Sequence, residues 1–228
     1  MFVNQLRKEE SVLYSYSSFS EVFPMTFGRA QKRQKQIVEA TIDILAEDGI
    51  DRLTFDVVAD RCGVTRPLVR HYYKNRDELL DVVLKYIGVN MQHFIIESLK
   101  KTSKDAKLQF FQYVKAHFDW AVEFKKHLQI ILYFFYRTSL YSEESRRKDR
   151  AVNIDLINVG FERIQELIRE VSEKPLLPGV AKAVQNLLTG AIISTVLEDY
   201  DKHELNKLCK ETVDACLAIA GESSLSKN

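Results

Sequence analysis

Apolar residues along most of this chain recur three or four positions apart, the spacing that places side chains on one face of an α-helix. The pattern predicts a first helix over about 29–47, with Ile37, Thr41, Ile44 and Leu45 on its inner face. The same spacing continues to about residue 220 with short breaks. We therefore predict an all-α fold.

Two short helices are predicted after the first one. Thr54 is a good N-cap for a helix that reaches about residue 61, and Thr65 caps a second helix with Pro67 in its first turn. Gly63 lies between them and is free to take the positive φ that a tight turn needs. The shared core of this helix pair is predicted to consist of Phe55, Val58, Ala59, Val64, Val69 and Tyr72.

The run Asn75-Arg76-Asp77-Glu78 is typical of a capping box and opens a long helix that ends at about residue 100. Further helices are predicted over about 104–123, 126–140, 143–172, 178–200 and 202–220. Glycine (8 residues) and proline (4) are scarce, which agrees with long helices and short connections.

Composition narrows the class of protein. The longest uninterrupted apolar run is the seven residues 130–136, which is far shorter than the roughly 20 that cross a membrane. The N-terminus lacks a secretion pattern, and three cysteines are too few and too odd in number for a disulfide framework. We expect a cytoplasmic protein with reduced thiols and no membrane partner.

Residues 1–24 differ from the rest, being rich in Ser and Tyr without helical periodicity. Two interpretations stay open. Either these residues are a disordered extension, or translation begins at Met25.

The net charge is only +1, but the charges are segregated. Every charged residue in 28–36 and in 61–76 is basic. Residues 39–60, in contrast, contain seven acidic residues and one arginine. Local charge governs the field at a binding surface more than the total does. The pattern predicts one basic and one acidic face on a small domain.

Two short helices joined by a glycine-containing turn are typical of a helix-turn-helix, whose second helix lies in the DNA major groove. Arginine is suited to paired hydrogen bonds with guanine, and Leu68 is suited to the methyl group of thymine. Hydroxyls and backbone N–H groups at helix starts contact phosphates. The predicted DNA-binding residues are Arg29, Lys32, Thr54, Thr65, Arg66, Pro67, Leu68, Arg70, His71 and Lys74.

About 50 residues resemble the TetR family of bacterial regulators. The matching stretches are Arg33-x-x-x-Ile37-Val38-x-Ala40, then Gly49-Ile50-x-x-Leu53-Thr54-x-x-x-Val58-Ala59-x-x-Cys62-Gly63-Val64-Thr65-x-Pro67, then His71-Tyr72-Tyr73-Lys74-Asn75-Arg76-Asp77-Glu78-Leu79. The resemblance implies a three-helix DNA-binding domain (25–76), a larger helical effector-binding and dimerisation domain (77–228), and a homodimer on a palindromic operator.

The same resemblance implies a repressor that a small apolar or aromatic effector releases from double-stranded DNA, although activation stays open. One residue departs from the family pattern. Arg70 stands where the family usually has a tyrosine or another aromatic, so the operator or the phosphate contacts should differ from the commonest pattern.

The region after residue 80 is rich in aromatic residues, most of which we expect to fill the core. A minority is predicted to line an effector pocket, namely Asn90, Phe94, His117, Trp120 and Phe134. By the resemblance, the last two helices form a four-helix dimer bundle, with predicted interface residues Leu187, Ala191, Ile192, Thr195, Leu208 and Cys216.

Other functions find little support in the sequence. No phosphate loop, nucleophile elbow or metal-ligand spacing is present, so we expect no enzyme, no cofactor and no metal. Cys209 and Cys216 lie seven apart and are either inert buried thiols, the favoured interpretation, or an oxidant sensor. The alternative to a regulator is a helical protein-interaction module without DNA binding.

Overall fold

The structure is a computed structural model that describes residues 28–140, 162–172 and 177–221. Over these residues the chain is helical and has no β-strand. The helices are α1 Arg29–Glu47, α2 Phe55–Cys62, α3 Arg66–Tyr72, α4 Arg76–Lys100, α5 Ala106–Glu123, α6 Lys125–Leu140, α7 162–171, α8 Val180–Leu197 and α9 Lys202–Ile219. A short 3₁₀ helix, Ile50–Arg52, joins α1 to α2.

The predicted all-α fold is confirmed, and the predicted helix bounds agree with the described ones to within a few residues. The N-terminal extension 1–24 and most of the predicted helix 143–172 lie outside the described residues.

The chain divides into two compact units. Of the described residues, unit 1 contains 28–90 and 126–140, and unit 2 contains 91–125, 162–172 and 177–221. The division falls inside α4, after Asn90. The predicted domain boundary at 76/77 stays a prediction.

Unit 1 is built on α1. Its inner face is wider than the predicted one, because Val38, Ala40 and Ile42 are also buried, while Leu45 is half-buried. α2 packs against both α1 and α3. The resulting three-helix arrangement fixes the orientation of α3.

Unit 2 has its own core, in which α5, α8 and α9 pack against one another. Phe110, Val114, Leu167, Val184 and Val213 are each at most 1% exposed within it. This burial contributes the main stabilisation of the unit.

Among the described residues, two helices, Arg76–Lys100 and Val180–Leu197, are long and apolar enough to cross a membrane by length and composition alone. The core helix of a soluble protein meets the same criteria, and half of the apolar window of α4 is buried. In α8 only 22% of the window is buried. Within the described part of the chain, most of the apolar window of α8 is therefore uncovered.

Candidate nucleic-acid interface

The turn between α2 and α3 has most of the local geometry that its sequence predicts, except that Thr65 stands at the N-cap of α3 without a capping hydrogen bond from its side chain. The Thr54 hydroxyl accepts a hydrogen bond from the Val57 N–H at 3.2 Å and caps α2. Gly63 ends α2 with φ 62° and ψ 40°, a left-handed conformation that favours glycine. The Val64 N–H then donates to the Ala59 carbonyl at 2.9 Å. These bonds hold the two helices in a sharp corner.

Val69 anchors α3, since it is fully buried in unit 1, as is Val58 of α2. The predicted core of the helix pair needs two corrections. Tyr72 is only half-buried, and the next residue, Tyr73, is 2% exposed instead. Phe55 is likewise half-buried, because it begins α2 and the helix buries its next turn more deeply.

The opposite face of α3 is open to solvent. Thr65, Arg66, Pro67, Arg70 and His71 are exposed, and Leu68 is half-buried. The other four residues predicted to bind DNA, Arg29, Lys32, Thr54 and Lys74, are also exposed. All ten predicted positions therefore have surface available to a ligand.

Arg66 is the one predicted reader with an ion-pair partner among the described residues. Its Nη1 lies 3.2 Å from Oδ2 of Asp56, in the first turn of α2, and both side chains are about half exposed. Arg70 has no such partner in the same part of the chain. DNA that binds Arg66 must therefore displace the Asp56 carboxylate, whereas DNA that binds Arg70 displaces no ion-pair partner among the described residues.

Other arginines of the basic run 61–76 are held away from α3. Arg61 donates to Glu47 and Asp48, both at 2.9 Å. The hydrogen bond that Arg61 donates to the Glu47 carboxylate raises the pKa of Arg61 above its usual value. Arg76 donates to the Ile50 carbonyl at 2.8 Å. Proximity in sequence did not distinguish Arg61 and Arg76, which bond to α1 and to the 3₁₀ helix, from Arg66 and Arg70 on α3.

The start of α4 forms a variant of the predicted capping box. Asn75 accepts from the Glu78 N–H at 2.8 Å, as predicted. The Glu78 carboxylate accepts from the Lys74 N–H at 2.6 Å rather than from the N–H of Asn75. The bond fixes the backbone of Lys74 while its side chain stays exposed.

The acidic residues of α1 form a stripe with four-residue spacing that other helices of unit 1 contact. The Tyr86 hydroxyl of α4 donates to Glu39 at 3.1 Å. The Lys126 ammonium of α6 donates to Asp43 at 2.6 Å and to Glu47 at 2.7 Å. Three of the seven acids of 39–60, all on α1, thus contact α4 or α6.

Three of the five predicted effector-pocket residues, Phe94, His117 and Trp120, belong to unit 2, and the pocket itself stays a prediction. In unit 2, the rings of Phe94 and Trp120 each lie 6.0 Å from the ring of Phe124, centroid to centroid. Trp120 is 1% exposed. Asn90 and Phe134 belong to unit 1 instead.

His117 lies beside Tyr113 in unit 2. Its Nδ1 is 2.8 Å from the Tyr113 carbonyl, and the two rings are 4.4 Å apart. Burial lowers the pKa of His117 to about 4, which keeps the imidazole neutral at pH 7.

Gln92 was missed by sequence reasoning. Both polar atoms of its side-chain amide are buried, and neither has a hydrogen-bond partner among the described residues. A buried amide without partners is costly, so such a group is usually met by water or by a ligand. The signal available in the sequence was an amide side chain among the mostly apolar residues of the long helix predicted to end at about residue 100.

The predicted dimer residues are mostly at the surface of unit 2. Leu187, Ala191, Ile192, Thr195 and Leu208 are each partly exposed. Cys216 is 0% exposed within the protomer and has no surface to offer a partner, so its placement in the interface was wrong.

The thiols of unit 2 are not activated. Burial raises the pKa of Cys209 to about 11 and that of Cys216 to about 12, so both are protonated at neutral pH. Over 28–140, 162–172 and 177–221, no group of three or more His, Cys, Asp or Glu side chains is arranged to hold a metal ion.

Comparisons with known proteins agree with this architecture. The profile of the bacterial regulatory proteins, tetR family, matches residues 37–83, which span the helix-turn-helix and the start of α4. The HTH-type transcriptional regulator BetI of Proteus mirabilis (strain HI4320) is 21% identical over 196 residues, covering 84% of this chain and 95% of BetI.

Solved structures share the fold. A transcriptional regulator from Rhodococcus sp. Rha1 has a TM-score of 0.68 at 14% identity, covering 81% of this chain and 96% of that chain. The fatty acid degradation regulator FadR of Bacillus halodurans has a TM-score of 0.65 at 19% identity, covering 84% and 96%. Both likenesses extend over the two units.

Proposed function

We propose that this chain, whose residues 37–83 match the profile of the bacterial regulatory proteins, tetR family, is a DNA-binding transcriptional regulator that binds a palindromic operator as a homodimer and responds to a small-molecule effector. The observation that carries the proposal is the exposed face of α3, with Arg66, Arg70 and His71 turned away from buried Val69.

In this proposal α3 enters the major groove and its arginines contact base edges. Thr54 and Thr65 bring hydroxyls and helix starts to phosphates on either side. Exposed Arg29, Lys32 and Lys74 add attraction to the backbone. Arg70 extends the basic reading surface beyond the commonest pattern of the family.

The first experiment measures binding of the full chain to random-sequence duplex DNA over a range of salt concentrations. Phosphate contacts predict affinity that falls steeply with salt, because bound cations release counterions. An operator then comes from selection among random sequences. Absence of binding at low salt would refute the regulator and favour the protein-interaction module.

Arg70 tests which face reads the DNA. Arg70→Ala is expected to weaken operator binding by roughly 1–3 kcal/mol. Arg169→Ala, which removes an exposed arginine from α7 in unit 2, is the matched control and is expected to leave binding unchanged. Equal effects of the two variants would contradict the placement of the reading face.

The proposed dimer rests on α8 and α9. The apolar window of α8 is mostly unburied in the protomer, and Leu197 and Ile219 are 75% and 40% exposed. Gly190 is exposed on α8, and an added Cβ would meet nothing within 4 Å, so the protomer tolerates Gly190→Arg. We expect this variant to sediment as a folded monomer. A Gly190→Arg dimer of unchanged affinity would overturn the assignment of α8.

For the proposed effector site in unit 2 we combine the aromatic group of Phe94, Trp120 and Phe124 with the buried amide of Gln92, which lies on α4 two residues before Phe94. The unpartnered amide favours an effector that has a hydrogen-bonding group as well as an apolar body. Gln92→Met is expected to stabilise the effector-free protein while weakening effector binding. A stability loss in the effector-free state would show that the amide has a structural partner.

Effector binding changes DNA affinity only if the effector prefers one of two conformations. We propose that α4, whose residues belong to both units, transmits this preference. We propose that the chain represses transcription, as regulators of this family commonly do. We also propose that it acts in the cytoplasm.

A further inference from the structure

Unit 1 contains an apolar cleft whose lining includes none of the predicted DNA-binding residues. It has a volume of about 270 Å³ and lies between the C-terminal end of α1 and the middle of α6. We name it the α1–α6 cleft. Its lining includes Leu45, Ala46, Ile50, Ile130, Tyr133 and Phe134.

An ion-pair cluster closes one end of the contact between these two helices. Lys126, one helical turn before Ile130, donates to Asp43 and Glu47 of α1. Leu45 and Ala46 lie between those two acids in sequence. The cleft and the ion pairs therefore share the same turns of α1 and α6, so anything that enters the cleft acts on the attachment of α6.

The lining indicates which chemistry fits. None of the side chains recorded around the cleft is charged, and Ile130 and Phe134 offer buried apolar surface. A dry cavity of ~150 Å³ lined by aliphatic and aromatic groups is enough for benzene, and drug-sized ligands occupy roughly 300–1,000 Å³. The cleft volume of about 270 Å³ lies between these limits, so it suits a compound of one or two rings and is too small to enclose a folded protein.

We propose that the α1–α6 cleft is a binding site for a small uncharged aromatic compound of one or two rings. Tyr133, which is 39% exposed, lies at the entrance and stacks on the ring. The Gln129 amide offers one hydrogen bond to a polar substituent. This site is distinct from the group around Phe94 and Trp120 in unit 2.

Occupation of the cleft acts on the DNA-binding unit directly. α1 carries exposed Arg29 and Lys32 at its other end and packs against α2. A compound that separates α6 from α1 shifts α1, and by linkage DNA binding and compound binding then influence each other. This consequence rests on the proposed function, whereas the site itself does not.

Indole is a suitable probe because it has two rings, no charge and one donor. Methyl NMR of the full chain during an indole titration is expected to show saturable shifts at Ile50 and Ile130 and none at Ile164 in the core of unit 2. Shifts confined to unit 2, or no saturable shift at Ile50 and Ile130, would overturn the proposal.

Two variants on α1 separate cleft filling from a general effect. Ala46→Phe fills the cleft and is expected to weaken indole binding by roughly ten-fold or more. Ala30→Phe makes the same change in the first turn of α1, away from the cleft lining, and is expected to have no effect. Unchanged indole binding by folded Ala46→Phe would contradict the site.

Tyr133→Ala keeps the test decisive if Ala46→Phe fails to fold, because Tyr133 is at the surface and its loss removes one wall. It too is expected to weaken indole binding, and unaltered affinity would exclude the site. Duplex binding by indole-free protein is measured separately. Indole shifts without DNA binding would refute the regulator alone, and DNA binding without these shifts would refute the cleft alone.

Discussion

Glu47 accepts a hydrogen bond from the Lys126 ammonium at 2.7 Å, although the two residues are 79 positions apart in the chain. The other oxygen of the same carboxylate accepts from Arg61 of α2 at 2.9 Å. These two bonds lower the pKa of Glu47, with the hydrogen bond from Lys126 as the largest cause. One carboxylate of α1 thus joins α6 to the first helix of the helix-turn-helix.

We predict that Glu47 and Lys126 are energetically coupled. In a double-mutant cycle with Glu47→Gln and Lys126→Met, the double variant is expected to lose less stability than the sum of the single variants. Both side chains are about half exposed, so the coupling is small and declines with added salt. Urea unfolding at low and high NaCl measures it.

Asp48 provides the control for this cycle. It accepts from Arg61 but has no recorded bond to Lys126. The pair Asp48→Asn and Lys126→Met is therefore expected to be additive. Equal coupling in both cycles would mean that the general negative field of α1, rather than the Glu47 contact, holds Lys126.

The helices themselves were predictable because each has a local cause. Thr54 caps α2, Gly63 takes the positive φ that ends it, and apolar spacing defines the inner faces. The exposed face of α3 followed from the same spacing once Val69 was assigned to the core.

Long-range partners were not predictable, because they depend on where distant helices pack. Nothing near Arg61 or Arg66 in sequence shows that one bonds α1 and the other bonds Asp56. The attachment of Lys126 to the acidic stripe is invisible for the same reason. The sequence analysis placed Tyr72 in the core, but Tyr73 is the buried residue. Helical periodicity could not show this, because α3 ends between the two tyrosines.

Two buried tyrosines are predicted to respond oppositely to loss of the hydroxyl. The Tyr73 hydroxyl is buried without a hydrogen-bond partner among the described residues, whereas the Tyr86 hydroxyl donates to Glu39. Tyr73→Phe is expected to raise the free energy of unfolding by roughly 1 kcal/mol, and Tyr86→Phe to lower it by a similar amount. Denaturant unfolding of both variants provides the comparison. Destabilisation by Tyr73→Phe would show that its hydroxyl has a partner.

His117 is predicted to make stability depend on pH. The pKa of His117 is lowered to about 4 by burial in the folded chain, while an unfolded histidine titrates near 6.5. As pH falls below 6.5 the unfolded state takes up the proton first, so stability is full above that value and is lost towards pH 4. The loss between pH 7 and pH 5 is about 2 kcal/mol.

His117→Gln is expected to flatten this pH dependence, as measured by denaturant unfolding at pH 7 and pH 5. His127, whose pKa is also lowered by burial, contributes with the same sign and accounts for the slope that remains. If His117→Gln kept the parent's slope, the imidazole of His117 would not be the titrating group.

Asp56 is predicted to weaken DNA binding, because its Oδ2 forms an ion pair with Nη1 of Arg66 at 3.2 Å. Asp56→Asn keeps the shape of the side chain, frees Arg66 and removes a negative charge close to the proposed phosphate contacts. We expect tighter binding to random duplex at low salt and a plot of log affinity against log salt that is steeper by about one unit. Asp60→Asn removes an exposed acid of the same helix that has no ion pair among the described residues. It is expected to strengthen binding less and to leave the slope near that of the parent. Matching changes in both variants would attribute the effect to net charge and not to the release of Arg66.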